Sequence, residues 1–142
     1  MGANTQYKNR SAIPLQYKWD LTKIVATDEE WEQRFSAVKE SIAAVVAYRN
    51  TLNEEAKFLE CFKLKDKISV EFERLYVYAN MKSHEDIRIA KYQEMCSRIS
   101  MSAAELSAKM SFVVPEIIAA YSAEKLKEIA AESAFTDYSY LI

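Results

Sequence analysis

The chain has 142 residues, of which 50% are hydrophobic, 12% aromatic and 28% charged, enough apolar material for one packed domain. One glycine and two prolines argue against β-sandwiches, collagen-like chains and glycine-rich phosphate loops, so a mostly helical protein remains. With 19 basic and 21 acidic residues mixed along the chain, no basic stripe points to nucleic acid. No apolar run approaches the ~18–20 residues that span a bilayer, so we expect no membrane partner either.

Residues 1–18 are predicted to be irregular. Asp20 is placed to cap a short turn that begins at Leu21. Tyr17, Trp19 and Leu21 make the segment more apolar than a free tail. We therefore expect an N-terminal strap, residues 1–26, that lies against the core formed by residues 27–142.

The first long helix is predicted to begin after Thr27. The Thr27 hydroxyl can accept a hydrogen bond from the amide of Glu30, and the Glu30 side chain can reach back to Thr27, which is the pattern of a capping box. Apolar residues then recur at steps of four, three, four and three, which marks one helix face: Trp31, Phe35, Val38, Ile42 and Val45. We expect this helix to end near Asn50.

Two further long helices follow, each with an apolar stripe. The second is predicted from a cap at Thr51 or Asn53 to about residue 82, with the stripe Cys61, Leu64, Ile68, Phe72, Leu75 and Ala79, flanked by Phe58 and Phe62. The third follows a cap signal at Ser83 to Asp86, with the stripe Tyr92, Met95, Ile99, Ala103, Leu106, Met110 and Val113. Pro115 is expected to stop or kink it near Val113 or Val114.

The last part of the chain predicts a short fourth helix, capped by Ser122 and running to about Glu132. Thr136-Asp137 resembles one more cap, after which the sequence ends on apolar residues. This favours a chain cut from a longer protein, and the alternative is a short helix that docks its end on the bundle. The predicted fold class is all-α, with three long antiparallel helices and a short fourth.

The sequence contains few residues in a pattern that indicates catalysis or metal binding. His84 is the only histidine, and Glu85 follows it as in a His-Glu-x-x-His zinc motif. Arg88 stands where the second histidine of that motif belongs, and a cation cannot bind zinc. We therefore expect no catalytic residue and no metal ligand in this chain. Two cysteines, Cys61 and Cys96, are expected to be reduced, buried and slow to react.

An interaction surface is the more specific expectation. The stretch from Leu75 to Ala79 is apolar around most of its helix, so it is either enclosed within the bundle or presents a second face to another domain. Together with the apolar end of the chain, it gives six candidate interface residues: Tyr76, Tyr78, Tyr138, Tyr140, Leu141 and Ile142. If these side chains are exposed, self-association of the chain is also expected.

Several segments, in the same order and spacing, resemble the N-terminal region of the oligoendopeptidase F family: Tyr17-Lys18-Trp19-Asp20-Leu21, Glu29-Glu30-Trp31, Glu73 to Ala79, Lys82-Ser83 with Glu85-Asp86, Tyr92, Ser111-Phe112 and Pro115-Glu116-Ile117. The resemblance implies a largely helical, cytoplasmic zinc peptidase of the thimet oligopeptidase-like group. It also implies that short peptides are cleaved within a channel. The zinc ligands of that family belong to its C-terminal part, and no residue of this chain matches them.

From the resemblance we expect a non-catalytic helical lobe that shapes or gates a peptide channel. Its partners would be the C-terminal catalytic part of the same polypeptide, which would carry the zinc, and oligopeptide substrates. The alternative is a free-standing helical interaction module that presents the face of Tyr76 and Tyr78 to a partner helix. A His-Glu-x-x-His motif further along the reading frame would distinguish the two.

Overall fold

The computed structural model describes residue 8 and residues 10–142, apart from the side chains of Tyr140 and Leu141. In this part of the chain all regular structure is helical, as predicted. The α-helices are α1 (Asp28–Val45), α2 (Glu55–Glu85), α3 (Ala90–Lys109), α4 (Val113–Ala120) and α5 (Ala123–Ala131). Short 3-10 helices cover Arg10–Ala12, Leu15–Tyr17, Leu21–Lys23, Val46–Tyr48 and Ser133–Leu141.

The three long helices form an up-down-up bundle. Asp28 meets Tyr78 and Arg34 meets Glu71, so α1 and α2 run in opposite directions. Glu32 pairs with Arg98, and Lys39 pairs with Glu105, so α1 and α3 run in the same direction. Each helix is thus antiparallel to the next in sequence, as the short connections require.

The start of α1 largely matches its prediction. The Thr27 hydroxyl accepts from the Glu30 amide at 3.1 Å. The Glu30 carboxylate, however, accepts from the amide of Ala26 at 2.8 Å, one residue before the expected donor.

All five predicted stripe residues of α1 are buried, and each fully buried aliphatic or aromatic side chain contributes about 1.5–3 kcal/mol. The helix ends at Val45, and Asn50, with φ of 64°, lies in the left-handed region, which turns the chain toward α2.

The caps predicted around α2 are wrong. Helix α2 begins at Glu55 with no side-chain cap, so neither Thr51 nor Asn53 caps it. At the other end it continues through Ser83, whose hydroxyl donates to the carbonyl of Asn80 within the same helix. Asp86 instead accepts hydrogen bonds from the guanidinium and from the backbone amide of Arg88. These bonds, chiefly those from the guanidinium, lower the pKa of Asp86 to about 2.

The stripe of α3 is shifted at one position. Met95, Ile99 and Leu106 are buried as predicted, but Ser102 rather than Ala103 faces the core. Steps of three then four, or four then three, both connect Ile99 to Leu106, so the apolar pattern alone favoured the alanine.

The chain between α3 and α5 differs from the prediction, because α3 already ends at Lys109 and a separate helix, α4, follows. Pro115 is the third residue of α4. It does not break the helix, because the N–H groups of the first turn have no hydrogen-bond acceptor within the helix and the missing N–H of proline costs nothing there. The helix capped by Ser122 exists, with its hydroxyl accepting from Lys125 at 3.2 Å, but it is the fifth. Thr136 and Asp137 lie inside the 3-10 helix Ser133–Leu141 and cap nothing.

A second apolar cluster forms around the start of α2. The ring of Phe58 packs edge-on against Phe62, with 4.7 Å between the ring centroids, and lies tilted against Phe135 at 5.3 Å. Leu52 and Ile129 are completely buried beside them. Met110 and Phe112, between α3 and α4, pack against this cluster and against the core of the three-helix bundle, so the two clusters are continuous.

Only part of the N-terminal segment packs against the bundle core. Leu21 and Val25 are buried in the bundle core, and Asp20 accepts from the Thr22 amide at 3.2 Å, which is the predicted turn. Tyr17 and Trp19, which we expected to pack, are 68% and 72% exposed.

Candidate interaction surfaces

The first polar cluster joins the beginnings of α1 and α3 to the second half of α2. The carboxylate of Asp28 accepts hydrogen bonds from the hydroxyl of Tyr78 at 2.7 Å and from the hydroxyl of Tyr92 at 3.1 Å. The ammonium group of Lys91 lies 2.7 Å from the same carboxylate. Asp28 also occupies the first position of α1, where the helix dipole favours a negative charge.

The acidity of these groups follows from their contacts. Burial alone would raise the pKa of Asp28, but the hydrogen bonds from Lys91, Tyr78 and Tyr92 outweigh it, so this pKa lies below its ordinary value. Burial, together with the bond to the Asp28 anion, raises the pKa of Tyr78 well above that of a free tyrosine. The cluster therefore holds one anion and two neutral phenols at neutral pH, and its hydrogen bonds connect α1, α2 and α3.

The six predicted interface residues are separated by the structure. Tyr78 is 3% exposed and Tyr138 9%, so both rings pack inside this chain. Tyr76 is 44% exposed on the outer face of α2, and Ile142 is half-buried. The side chains of Tyr140 and Leu141 lie outside the described residues. The first alternative for the Leu75 to Ala79 stretch, enclosure in the bundle, therefore describes Tyr78, whereas Tyr76 remains on the surface.

A groove between α2 and α4 is a concave surface with a mostly apolar lining. It has a volume of about 300 Å³, and six of the residues that line it are Phe62, Lys65, Met110, Val114, Ile118 and Ile142. Helix α4 forms it because both of its sides are apolar: Val113 and Ile117 are buried, while Val114 and Ile118 are 64% and 66% exposed. We call this surface the α4 groove. It is the size of a small binding cleft.

A second apolar surface belongs to the N-terminal segment. Leu15, Tyr17 and Trp19 are all more than two-thirds exposed. A cleft of about 650 Å³, lined by Leu15 and Trp19 but not by Tyr17, extends to Tyr78 and Lys82 of α2. Arg10 forms an ion pair with Glu85 at its edge. This cleft is wider and more polar than the α4 groove.

The described residues contain no group of three or more histidine, cysteine, aspartate or glutamate side chains that can hold a metal ion. His84 is exposed near the end of α2, as expected for a residue at a helix junction. Within the same residues, none of the helices combines the length and the apolar character that crossing a bilayer requires.

The two thiols differ in environment. Cys61 is buried between the first turns of α2 and its neighbours, and burial raises its pKa to about 11. Cys96 is half-buried on α3. Both are free thiols, and the expected burial holds for Cys61 but is wrong for Cys96, whose side chain is partly exposed.

The α4 groove was missed in the sequence because α4 itself was missed. The signal was present in the run Val113-Val114-Pro115-Glu116-Ile117-Ile118, which is apolar on both sides of a helix. Once Pro115 is placed in a first turn instead of at a helix end, this run predicts an amphipathic helix with a surplus of apolar surface.

The chain is similar to several curated peptidases. It is 35% identical to the group B oligopeptidase PepB of Streptococcus agalactiae over 78% of its own length and 18% of that protein. It is 35% identical to the plasmid oligoendopeptidase F of Lactococcus lactis subsp. cremoris over 78% of its length and 19% of that protein. Similarity to the oligopeptidase PepF of Bacillus subtilis is 30% over 89% of the chain and 19% of the relative.

The matches lie at the N-terminal end of these relatives, and the chain spans about a fifth of their length. The resemblance found in the sequence is thereby confirmed. No protein-family model matches the chain, and no solved structure matches it.

Proposed function

Because the chain is homologous to the N-terminal region of the oligoendopeptidase F proteins, we propose that it forms a non-catalytic helical lobe of an enzyme that hydrolyses short peptides. The observation that carries this proposal is 30–35% identity over 78–89% of the chain to proteins named as oligopeptidases. The substrates we propose are oligopeptides, as the names of those relatives indicate.

Catalysis is assigned to residues outside this chain. If the enzyme is a zinc peptidase, as the family resemblance implies, the described residues do not fit the metal: His84 is the only histidine and is exposed. No cluster of three possible ligands accompanies it in the described part of the chain. The acidic residues with the most contacts, such as Asp28, already serve as acceptors within the bundle.

The role we propose for the lobe is to shape or gate the peptide channel. The structure supports a scaffold of this kind, because α2 is 31 residues long, or about 46 Å at ~1.5 Å per residue, and is braced on two sides by α1 and α3. The α4 groove and the exposed N-terminal aromatic residues provide apolar surface for packing against the remainder of a longer polypeptide. The free thiols support a reducing compartment, and we place the protein in the cytoplasm.

Peptidase assays test this proposal. We expect no hydrolysis of a quenched fluorescent oligopeptide by the isolated chain, with or without added zinc. A polypeptide from the same reading frame that includes a His-Glu-x-x-His helix should cleave the peptide, and deletion of residues 1–142 should lower its kcat/KM at least tenfold. Turnover by the isolated chain, or a deletion without effect, would contradict the proposal.

A second candidate function is a free-standing helical interaction module. The observation that favours it is the exposed apolar face of α4, which is typical of a surface that receives a partner helix. The partner-facing residues would then be Val114 and Ile118, since Tyr78 is buried. A reading frame without any peptidase motif would favour this function over the lobe.

A further inference from the structure

We infer that the α4 groove is a docking site for an amphipathic helix that carries a carboxylate beside its apolar face. The source of that helix rests on the proposed function: it would belong to the four-fifths of the relatives' length that this chain does not span. The chemistry of the groove itself rests only on the described residues.

The apolar part of the groove is formed by side chains on two neighbouring helices. Val114 and Ile118 are one turn apart on α4, and both are about two-thirds exposed. Phe62, on α2, forms the opposite wall. Side chains at this spacing form a furrow into which the apolar stripe of another helix fits, with anchors at positions i and i+4 or i+7. Left open, the furrow keeps this apolar surface in water.

Lys65 places a positive charge beside this apolar surface. It lies three residues after Phe62 on the same face of α2, is half-buried, and is the one charged residue in the groove lining. No carboxylate among the described residues forms an ion pair with it. A partner that covers the groove further desolvates this half-buried ammonium group, so a partner that brings a compensating negative charge is favoured. A glutamate or aspartate next to the apolar stripe supplies that charge.

The same charge argues against a second copy of this chain as the occupant. A two-fold interface brings the same patch of both copies together. The two Lys65 ammonium groups would then enter one apolar contact, and like charges brought together there are unfavourable. A helix with a carboxylate avoids this repulsion.

The test uses the isolated chain and a synthetic probe, so it is independent of peptidase activity. The probe is a fluorescein-labelled amphipathic peptide of about four helical turns with a leucine stripe flanked by glutamates. A matched peptide carries glutamine in place of every glutamate. Fluorescence anisotropy should show saturable binding of the acidic peptide, with the glutamine peptide at least threefold weaker. Ile118→Asp should weaken binding of the acidic peptide at least tenfold.

Two variants control the result. Met101→Asp places the same charge at an exposed apolar site on α3, outside the groove, and should bind like the unmodified chain. Lys65→Gln should bind both peptides equally, because the preference for glutamate comes from Lys65. Circular dichroism checks that each variant is folded, and if Ile118→Asp is not, Val114→Asp replaces it. The proposal is overturned if the acidic peptide does not bind, if Ile118→Asp binds it normally, or if the groove is filled by a dimer that Ile118→Asp dissociates.

Discussion

The indole N–H of Trp31 donates a hydrogen bond to the backbone carbonyl of Leu75, 2.9 Å away on the neighbouring helix. Both residues are completely buried. The bond pairs the one polar atom of the Trp31 ring and fixes the register of α1 against α2. The same ring stacks on Phe35 at 5.1 Å and lies below the Arg98 guanidinium at 5.3 Å, so it connects all three long helices.

Replacing Trp31 separates the packing from the hydrogen bond. Trp31→Phe keeps most of the ring and loses the N–H donor, so we expect a loss of about 1–2 kcal/mol in the free energy of unfolding. Trp31→Ala also leaves a cavity and should cost about 3–5 kcal/mol. Urea denaturation measures both, with the exposed Met101→Ala as control. Equal losses for the two Trp31 variants would show that packing of this ring is unimportant.

The Asp28 cluster predicts a pH dependence of stability. The pKa of Asp28 is lowered in the folded chain, so the stabilisation from its ionised form is complete above the ordinary value of 3.8 and is lost as the pH falls through the folded value. Asp28→Asn removes this dependence and, near pH 7, costs about 1–2 kcal/mol through weaker hydrogen bonds.

Urea denaturation at pH 7 and pH 3 checks this expectation. The difference in stability between the two pH values should be smaller for Asp28→Asn than for the unmodified chain. The exposed Glu40→Gln serves as the matched control and should leave the difference nearly unchanged. An unchanged difference in Asp28→Asn would mean that other carboxylates account for the acid sensitivity.

The stripes of the long helices were predictable, because burial of one helix face repeats every three or four residues. Every predicted stripe residue of α1 is buried, and α2 differs only at Leu64, which is half-buried. The family resemblance was also readable, since it depends on the order of short segments along the chain.

What the sequence could not predict depends on contacts between distant residues. The sequence left open whether Tyr78 is enclosed in the bundle or part of an interface, because its hydrogen-bond acceptor, Asp28, lies 50 residues earlier. Ser83 was predicted as a helix cap because the local sequence does not distinguish a serine that caps a new helix from a serine within a helix. In the structure its hydroxyl donates to a carbonyl of its own helix. The α4 groove depends on whether Pro115 ends one helix or begins another, and in the structure α4 begins because Val113 and Ile117 are buried in the second cluster.

The thiols predict a difference in reactivity. Cys61 is fully buried and its pKa is raised to about 11, so almost none of it is thiolate at pH 8. In a Cys96→Ser variant, which leaves Cys61 alone, labelling by a chromogenic disulfide reagent should be at least tenfold slower than in 6 M urea. Fast labelling of the native variant would show that the start of α2 opens readily.

The backbone N–H and carbonyl of Leu52 both form hydrogen bonds with side chains from α4 and the residue that follows it. Its N–H donates to the carboxylate of Glu116 at 3.1 Å, and its carbonyl accepts from the hydroxyl of Tyr121 at 2.7 Å. Leu52 is completely buried, so a lost partner leaves a buried polar group without a hydrogen bond. Glu116→Ala and Tyr121→Phe should therefore each cost about 1–3 kcal/mol.

Two further variants separate this clamp from general effects of charge and packing. Glu116→Gln keeps an oxygen that can accept from the Leu52 amide and should recover most of the stability lost in Glu116→Ala. Glu128→Ala removes a glutamate that is 70% exposed and should have little effect. Hydrogen exchange should also show faster exchange of the Leu52 amide in Glu116→Ala, because that amide loses its acceptor and α4 loses its hold on the connection between α1 and α2. The clamp does not contribute to stability if Glu116→Gln is as unstable as Glu116→Ala. The same conclusion follows if the Leu52 amide exchanges at the same rate in Glu116→Ala and in the unmodified chain.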